Sequence, residues 1–106
     1  MNFRRIDVAE ARRLLADNAQ IIDIRDDQSY AAGHIEAARH VDSGNMQEFV
    51  QEADLDRPLI IYCYHGNMSQ GAAAWMAEQG FEHTFSLDGG YEAWVDKSSA
   101  APAASK

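Results

Sequence analysis

The sequence predicts a single α/β domain with a mostly parallel sheet, and three observations support this fold class. The chain has 106 residues, the size of one small domain. Its composition is 46% hydrophobic, which is enough to build a core without disulfides or metal ions. Short apolar runs that suit buried strands alternate with segments of helical spacing, and this alternation is typical of parallel sheets.

The first half of the chain alternates predicted helices with predicted strands. Asp7 and Glu10 have the spacing of a capping box, so we expect the first helix to begin at Asp7. A short helix over residues 28–32 is expected to stop at Gly33, and Ser43 is expected to cap a third helix. The two strands predicted between these helices comprise residues 20–24, buried on both faces, and residues 39–41.

In the second half, a strand, a polar loop and a helix follow one another closely. Residues 59–63 predict a strand that ends on Cys63, and Ser69 is expected to cap the next helix, which Gly80 closes. Beyond it, the sequence predicts a strand over residues 84–87, a glycine turn, and a last helix that carries Tyr91 and Trp94.

The composition also predicts the domain boundary and the environment. We expect residues 1–97 to form the domain and the small, polar residues 98–106 to be a disordered tail.

The net charge of −8 disfavours nucleic acid as a partner, because phosphates bind Lys and Arg. No apolar run is long enough to cross a membrane, and no secretory signal is recognisable. One cysteine forms neither an intrachain disulfide nor a two-cysteine redox cycle, and a free thiol suits a reducing compartment. We therefore expect a cytoplasmic protein that binds neither membranes nor nucleic acid.

Cys63 is the candidate catalytic residue. A strand, a tight loop and a helix in that order point several backbone N–H groups and the positive end of the helix at one spot. A thiol at that spot ionises easily and holds an anion beside it. The alternative is a buried, inert core thiol, which the polar loop after Cys63 disfavours. The arrangement predicts a nucleophilic thiolate that acts on sulfur or phosphorus.

The loop after Cys63 supplies the candidate binding residues, which are Tyr64, His65, Gly66, Asn67, Met68 and Ser69. None of residues 64–68 is proline, so all five backbone N–H groups are available to a charged sulfur. Gly66 permits dihedrals that other residues resist, and Asn67 tolerates similar geometry. We expect the Ser69 hydroxyl to face the loop.

Three of these side chains have open interpretations. His65 either supplies a positive charge or a hydrogen bond to an anion, or it is a solvated loop histidine. Tyr64 is a pocket wall or a lid on the core. Met68 is expected to contribute packing rather than chemistry.

The spacing around Cys63 disfavours two other kinds of site. Cysteine phosphatases resemble Cys-x5-Arg, whose arginine grips the phosphate, but the sixth position after Cys63 is Ser69 and no arginine follows in the loop or the next helix. A zinc site needs three or four ligands, and Cys63-x-His65 offers too few. We therefore expect no phosphatase, no metal site and no cofactor.

Four separated segments of the chain resemble the rhodanese family of sulfurtransferases, and more closely its short, single-domain bacterial members. Each is weak alone, but the four occur in the family's order. They are Ile22-Asp23-Ile24-Arg25, the segment 30–38 with Ala37 in place of a usual glycine, Cys63-Tyr64-His65-Gly66-Asn67, and the segment 87–94 that contains Gly89-Gly90 and Trp94.

The resemblance implies a fold and a reaction. The implied fold has a central five-stranded, mostly parallel sheet with helices on both faces. In the implied reaction, the Cys63 thiolate takes the outer sulfur of thiosulfate, and the resulting persulfide passes that sulfur to cyanide, a small cellular thiol or a thiol protein. By the same resemblance, the N–H groups of residues 64–68 form the cradle.

The chain departs from the family pattern at the two positions after the cysteine. Many larger members carry basic residues there, and this chain has Tyr64 and His65. A different sulfane sulfur compound is therefore an alternative donor. A second hypothesis is a carrier module that receives sulfur from a partner enzyme and acts little on free thiosulfate.

The remaining polar and aromatic residues of these segments have structural interpretations. Asp23 and Arg25 either bind substrate or form a salt bridge at the end of a strand, and we expect the salt bridge. We expect His34 to bond a backbone group rather than to contact substrate. Asp88 is expected to anchor the glycine turn that follows it. Trp75 and Trp94 are expected to lie in the core.

Overall fold

A computed structural model of the chain describes residues 2–103, with side chains as far as Lys97. Strands and helices alternate through the described residues in the order β1 (Arg4–Ile6), α1 (Val8–Ala16), β2 (Gln20–Asp23), α2 (Asp27–Ala32), β3 (Arg39–His40), α3 (Met46–Glu52), β4 (Leu59–Tyr62), α4 (Met68–Glu78), β5 (Thr84–Leu87) and α5 (Gly90–Ala103). None of these helices is both long and apolar enough to span a lipid bilayer.

The five strands form one sheet in the order β1-β5-β4-β2-β3, and every neighbouring pair is parallel. Strand β4 lies at the centre, where Ile61 is in register with Ile22 of β2 and Ser86 of β5. All four residues of β4 are buried, as a central parallel strand requires. The predicted five-stranded parallel sheet is confirmed.

Helices cover both faces of the sheet, as expected. Side chains alternate along β4, so Ile60 and Tyr62 join one apolar cluster and Leu59 and Ile61 join the other. The first cluster is completed by α1 and α5, with Trp94 packed against it. The second is completed by α3 and α4, with Trp75 packed against it. Both tryptophans are therefore partly buried core residues.

The connections place a crevice at the carboxyl ends of β2 and β4. The chain leaves β4 through α4 towards β5, and it leaves β2 through α2 towards β3, on the opposite side. Ligands of open parallel sheets bind where neighbouring connections diverge in this way. Cys63 follows β4 directly, so it lies at this position.

Two predicted helix caps are wrong, and one strand was missed. Strand β1 was not predicted, because it has three residues of which only Ile6 is buried and therefore shows no periodicity. Helix α3 has Asn45, not Ser43, at its N-cap, and the Asn45 side chain binds backbone groups of Asp42 and His40 instead of capping the helix. Helix α4 has Asn67 at its N-cap, so Ser69 lies inside the first turn.

Other element ends agree with the sequence. The Asp7 side chain accepts a hydrogen bond from the Glu10 N–H and caps α1. Gly33 follows the end of α2, and Gly80 follows the end of α4 with a φ of +114°.

Helix α5 continues to Ala103, past the boundary expected at Lys97. Because side chains after Lys97 and residues 104–106 lie outside the described residues, the domain boundary and the disorder of 98–106 stay predictions.

Candidate active site

Cys63 is buried, with 1% of its surface exposed, and its sulfur is surrounded by hydrogen-bond donors. The backbone N–H groups of Gly66 and Ser69 each lie 3.3 Å from Sγ, and the Ser69 hydroxyl oxygen lies 3.4 Å from it. Ser69 is in the first turn of α4, so its N–H is one of those that a helix leaves unpaired. The loop and the helix end therefore converge on the sulfur, as the sequence predicts.

These contacts lower the pKa of Cys63. Burial of the thiol opposes ionisation and would raise the pKa. The hydroxyl and N–H of Ser69 and the N–H groups of Gly66 and His65 stabilise the thiolate, and together they outweigh the effect of burial. The pKa of Cys63 consequently lies below its ordinary value, and the ionised sulfur is the nucleophilic form.

Gly66 is required by both its dihedral and its surroundings. Its φ is +96°, in the region that favours glycine. A Cβ at this position would lie 2.8 Å from the backbone nitrogen of Gly89 and 3.1 Å from the carbonyl oxygen of Leu87. Both are backbone atoms that cannot rotate away, so any residue with a Cβ at position 66 would force the loop to move.

The start of α5 holds the outer side of the same loop. The N–H of Tyr91 donates to the Cys63 carbonyl at 2.8 Å, and the N–H of Glu92 donates to the Tyr64 carbonyl at 3.3 Å. The approach is so close that a Cβ on Gly90 would lie 2.5 Å from the Cys63 oxygen. Two loop carbonyls are therefore satisfied by α5 while loop N–H groups bind the sulfur.

These two hydrogen bonds from α5 clamp the loop, and they were not predicted from the sequence, which indicated a different role for Asp88. The glycine pair before α5 was the available signal, but it indicated a turn rather than a contact with the cysteine loop. The Asp88 carboxylate accepts a hydrogen bond from Arg5 Nε of β1 at 2.8 Å, and among the described residues it forms none to the glycine turn that it was expected to anchor.

The two side chains that follow Cys63 are bound by carboxylates. The Tyr64 hydroxyl donates to the Asp26 carboxylate and accepts from the Asp26 N–H at 3.1 Å. The hydrogen bond from Tyr64, with others from Ser29, holds the pKa of Asp26 far below its usual range. His65 Nδ1 lies 3.0 Å from a Glu92 oxygen, and both side chains are about two-thirds exposed, at 65% and 66%. Tyr64 and His65 therefore lie at the rim of the site.

Asn67 and Met68 differ from the expectations for them. Asn67 is exposed and has a φ of −91° and a ψ of −53°, so it uses ordinary right-handed geometry. Met68 was expected to contribute packing rather than chemistry, but its side chain is 56% exposed, which does not support a packing role. Met68 is the first residue of α4, at the mouth of the loop, where its side chain covers no core.

The predicted salt bridge at the end of β2 is confirmed. Arg25 Nη2 lies 2.7 Å from the Asp23 carboxylate, and both side chains are buried. Arg25 also donates to the Gly33 carbonyl at 2.6 Å and lies 4.1 Å from the centre of the Tyr91 ring. The pair thus joins β2, the residue after α2 and the start of α5. His34 binds a backbone carbonyl, that of Tyr30, at 2.8 Å, as expected.

One group of side chains has the spacing of metal ligands. Ligand atoms of Asp27, His40 and Asp42 lie within 4.8 Å of one another. His40 Nε2 is bound to the Arg25 carbonyl at 2.6 Å, which leaves Nδ1 toward Asp27 at 3.3 Å. The group contains no atom of the cysteine loop, and exposed acidic residues often cluster without an ion.

Comparisons with known proteins agree with this geometry. Residues 7–97 match the family model of the rhodanese-like domain. Thiosulfate sulfurtransferase GlpE of Pseudomonas paraeruginosa is 53% identical over 92 residues, which cover 87% of this chain and 84% of that protein. Its counterpart in Pseudomonas fluorescens strain SBW25 is 52% identical over the same coverage.

Solved structures share the fold at lower sequence identity. A rhodanese-like domain protein from Staphylococcus aureus has a TM-score of 0.75 at 22% identity and covers 87% of this chain and 91% of its own. A rhodanese-related protein from Thermoplasma volcanium has a TM-score of 0.77 at 20% identity, with 90% and 93% covered. The family resemblance and the fold that it implies are confirmed.

Proposed function

Because the chain belongs to the rhodanese-like domain family, we propose that it is a thiosulfate sulfurtransferase that works through a Cys63 persulfide. The observation that carries this proposal is the position of the Cys63 sulfur. It lies at the carboxyl end of the central strand, with the Gly66 N–H, the Ser69 N–H and the Ser69 hydroxyl around it. That environment favours a nucleophilic thiolate.

In the first step, the Cys63 thiolate attacks the outer sulfur of thiosulfate. A bond forms between Sγ and that sulfur, the sulfur–sulfur bond of thiosulfate breaks, and sulfite leaves with the electron pair. In the second step, cyanide or a thiolate attacks the outer sulfur of the persulfide and carries it away, and the Cys63 thiolate is restored. No external oxidant or reductant is needed.

The loop supplies the electrostatic stabilisation for both steps. The N–H groups of Gly66 and Ser69 stabilise Sγ as the attacking thiolate in the first step and as the leaving group in the second. Residues 64–68 provide the backbone cradle for the outer sulfur and Ser69 provides its hydroxyl, while Tyr64, His65, Asn67 and Met68 line the entrance.

A carrier fed by a partner enzyme is the second candidate function. The contacts that favour it are those of Tyr64 with Asp26 and of His65 with Glu92, since both side chains next to Cys63 are held by carboxylates rather than free to bind a dianion. In a carrier, Cys63 receives its sulfur from a protein persulfide and free thiosulfate is a poor donor.

Partners and compartment belong to the same proposal. We propose thiosulfate or another sulfane sulfur compound as donor, and cyanide, a small thiol or a thiol protein as acceptor. A free reactive thiol works best in a reducing compartment, which supports a cytoplasmic location. The acidic composition supports partners other than nucleic acid or membranes.

The intact mass of the reduced protein tests both candidates. After incubation with thiosulfate, we expect the mass to increase by one sulfur atom, and cyanide should remove this increase and leave thiocyanate in solution. Cys63→Ser is the control and should gain no sulfur. If the wild type also gains none while an alkylating reagent still modifies Cys63, the thiosulfate sulfurtransferase is contradicted and the carrier becomes the better proposal.

A further inference from the structure

Ser86 is a buried polar residue that the proposed reaction does not yet use. It lies in β5, beside Ile61 of the central strand, and its exposed fraction is 0%. Its hydroxyl oxygen lies 2.8 Å from the hydroxyl oxygen of Ser69, which in turn lies 3.4 Å from Cys63 Sγ. The three side chains form a buried row that leads away from the loop into the sheet.

The chemistry of a thiolate fixes the direction of these hydrogen bonds. A thiolate has no proton, so a hydrogen bond between Sγ and Ser69 forms only when the Ser69 hydroxyl donates. A hydroxyl has one proton, so a Ser69 that donates to sulfur can only accept from Ser86. The 2.8 Å contact then requires that Ser86 be the donor.

We propose that Ser86 is a positioning residue of the sulfurtransferase, because its buried hydroxyl donates to Ser69 and directs the Ser69 proton at the Cys63 sulfur. With Ser86 present, the Ser69 hydroxyl can donate to the thiolate and accept from Ser86 at the same time, so both hydroxyls form hydrogen bonds. Hydrogen bonds in a row also polarise and strengthen one another, by about 10–30% per bond. This inference rests on the proposed function, since it concerns the same thiolate.

Other charged and titratable groups around Cys63 have partners of their own. At the end of β2, Asp23 binds Arg25. At the rim, Asp26 binds Tyr64 and Glu92 of α5 binds His65. The first turn of α4 contains no acidic residue. Within the part of the chain that the structure describes, none of these side chains forms a hydrogen bond with Sγ, whereas Ser69 does.

The test is the pH dependence of Cys63 alkylation by iodoacetamide, which reports the thiolate and requires no sulfur transfer. Ser86→Ala should shift the midpoint to higher pH and leave the rate at high pH unchanged. Well below the midpoint, the alkylation rate should fall roughly two- to fourfold, the effect of weakening a hydrogen bond to a charged group by tens of per cent.

Thr84→Val is the matched control. Thr84 lies in the same strand, is 2% exposed, and donates its hydroxyl to the Asn2 carbonyl rather than to the site. The substitution removes a buried hydroxyl and should lower stability without moving the alkylation midpoint. A midpoint that moves equally in Thr84→Val would show that any loss of a β5 hydroxyl has this effect, and would overturn the proposal.

A double-mutant cycle tests whether Ser86 acts through Ser69. In a Ser69→Ala background, Ser86→Ala should cause no further shift of the midpoint, because its partner is already gone. An equal shift in both backgrounds, or no shift in the single variant, would overturn the proposal. Since iodoacetamide is not a sulfur donor, failure of the persulfide experiment and failure of this one are distinguishable.

Discussion

The reactivity of a single residue, Cys63, depends on two residues that follow it in the chain, Ser69 and Gly66. Ser69 supplies both a backbone and a side-chain hydrogen bond to the sulfur. Gly66 supplies a third hydrogen bond, and it does so only because the backbone has the φ of +96° that glycine allows. Glycine at position 66 therefore determines whether the backbone N–H of that residue reaches the Cys63 sulfur.

Gly66→Ala should abolish most of the sulfur transfer. The new Cβ would lie 2.8 Å from the Gly89 nitrogen, so the loop must move and the Gly66 N–H must leave the sulfur. We expect a loss of stability of about 1–3 kcal/mol from the strained dihedral. We also expect the transfer rate to fall by about a hundredfold, the effect of displacing a catalytic group by about 1 Å. Rates with thiosulfate and cyanide, with urea unfolding, measure both.

Gly71→Ala is the control for that variant. Gly71 lies in α4, and a Cβ there would meet nothing within 4 Å. Alanine in this helix should stabilise the protein by about 0.5–1 kcal/mol and leave the rate unchanged. If Gly66→Ala were as active as Gly71→Ala, the cradle would not depend on the Gly66 conformation.

At the scale of secondary-structure elements, the buried ion pair holds the ends of several elements at the crevice. Asp23 accepts hydrogen bonds from both the backbone and the side chain of Arg25. Arg25 reaches the Gly33 carbonyl and the Tyr91 ring, and Tyr91 binds the Cys63 carbonyl. The pair therefore connects β2 and α2 to the helix that clamps the loop.

Asp23→Asn should destabilise the protein strongly, because it leaves the buried Arg25 charge without a carboxylate. Breaking one side of a buried pair costs about 3–5 kcal/mol, and urea unfolding should show this as a lower midpoint. The control is Glu52→Gln, which breaks the exposed pair with Arg39 and should cost less than about 1 kcal/mol. Equal costs for the two variants would mean that burial of the Asp23–Arg25 pair does not matter.

The sequence was informative about elements where the signal is local, and uninformative where the partner is distant. The cap of α1 was predictable because Asp7 and Glu10 are one turn apart. The cap assigned to Ser69 was wrong because its hydroxyl binds Cys63 and Ser86, and nothing near Ser69 in the chain indicates Ser86. The contact of Tyr91 with the Cys63 carbonyl was missed for the same reason.

At the scale of the whole molecule, the net charge opposes the substrate that the site is proposed to accept. The chain carries a formal charge of −8, and thiosulfate is a dianion. At low salt, with a Debye length of about 30 Å at 0.01 M, the whole charge repels the ion. The backbone N–H groups of the cysteine loop attract the ion only once it has reached the site. Association with thiosulfate should therefore be slow at low salt, and charges at the rim should affect it most.

Glu92→Gln should raise kcat/KM for thiosulfate, because it removes the carboxylate that His65 binds at the rim and leaves the imidazole available to the donor. The expected gain is roughly two- to fivefold at low salt, in line with exposed charge pairs, and it should shrink as salt screens the rim.

Glu82→Gln is the matched control. It changes the net charge equally, but Glu82 is exposed just before β5, at the opposite end of the sheet from Cys63. We expect Glu82→Gln to have a much smaller effect. Equal gains in the two variants would show that net charge alone governs access, and a loss in Glu92→Gln would show that the His65–Glu92 pair itself helps to bind the donor.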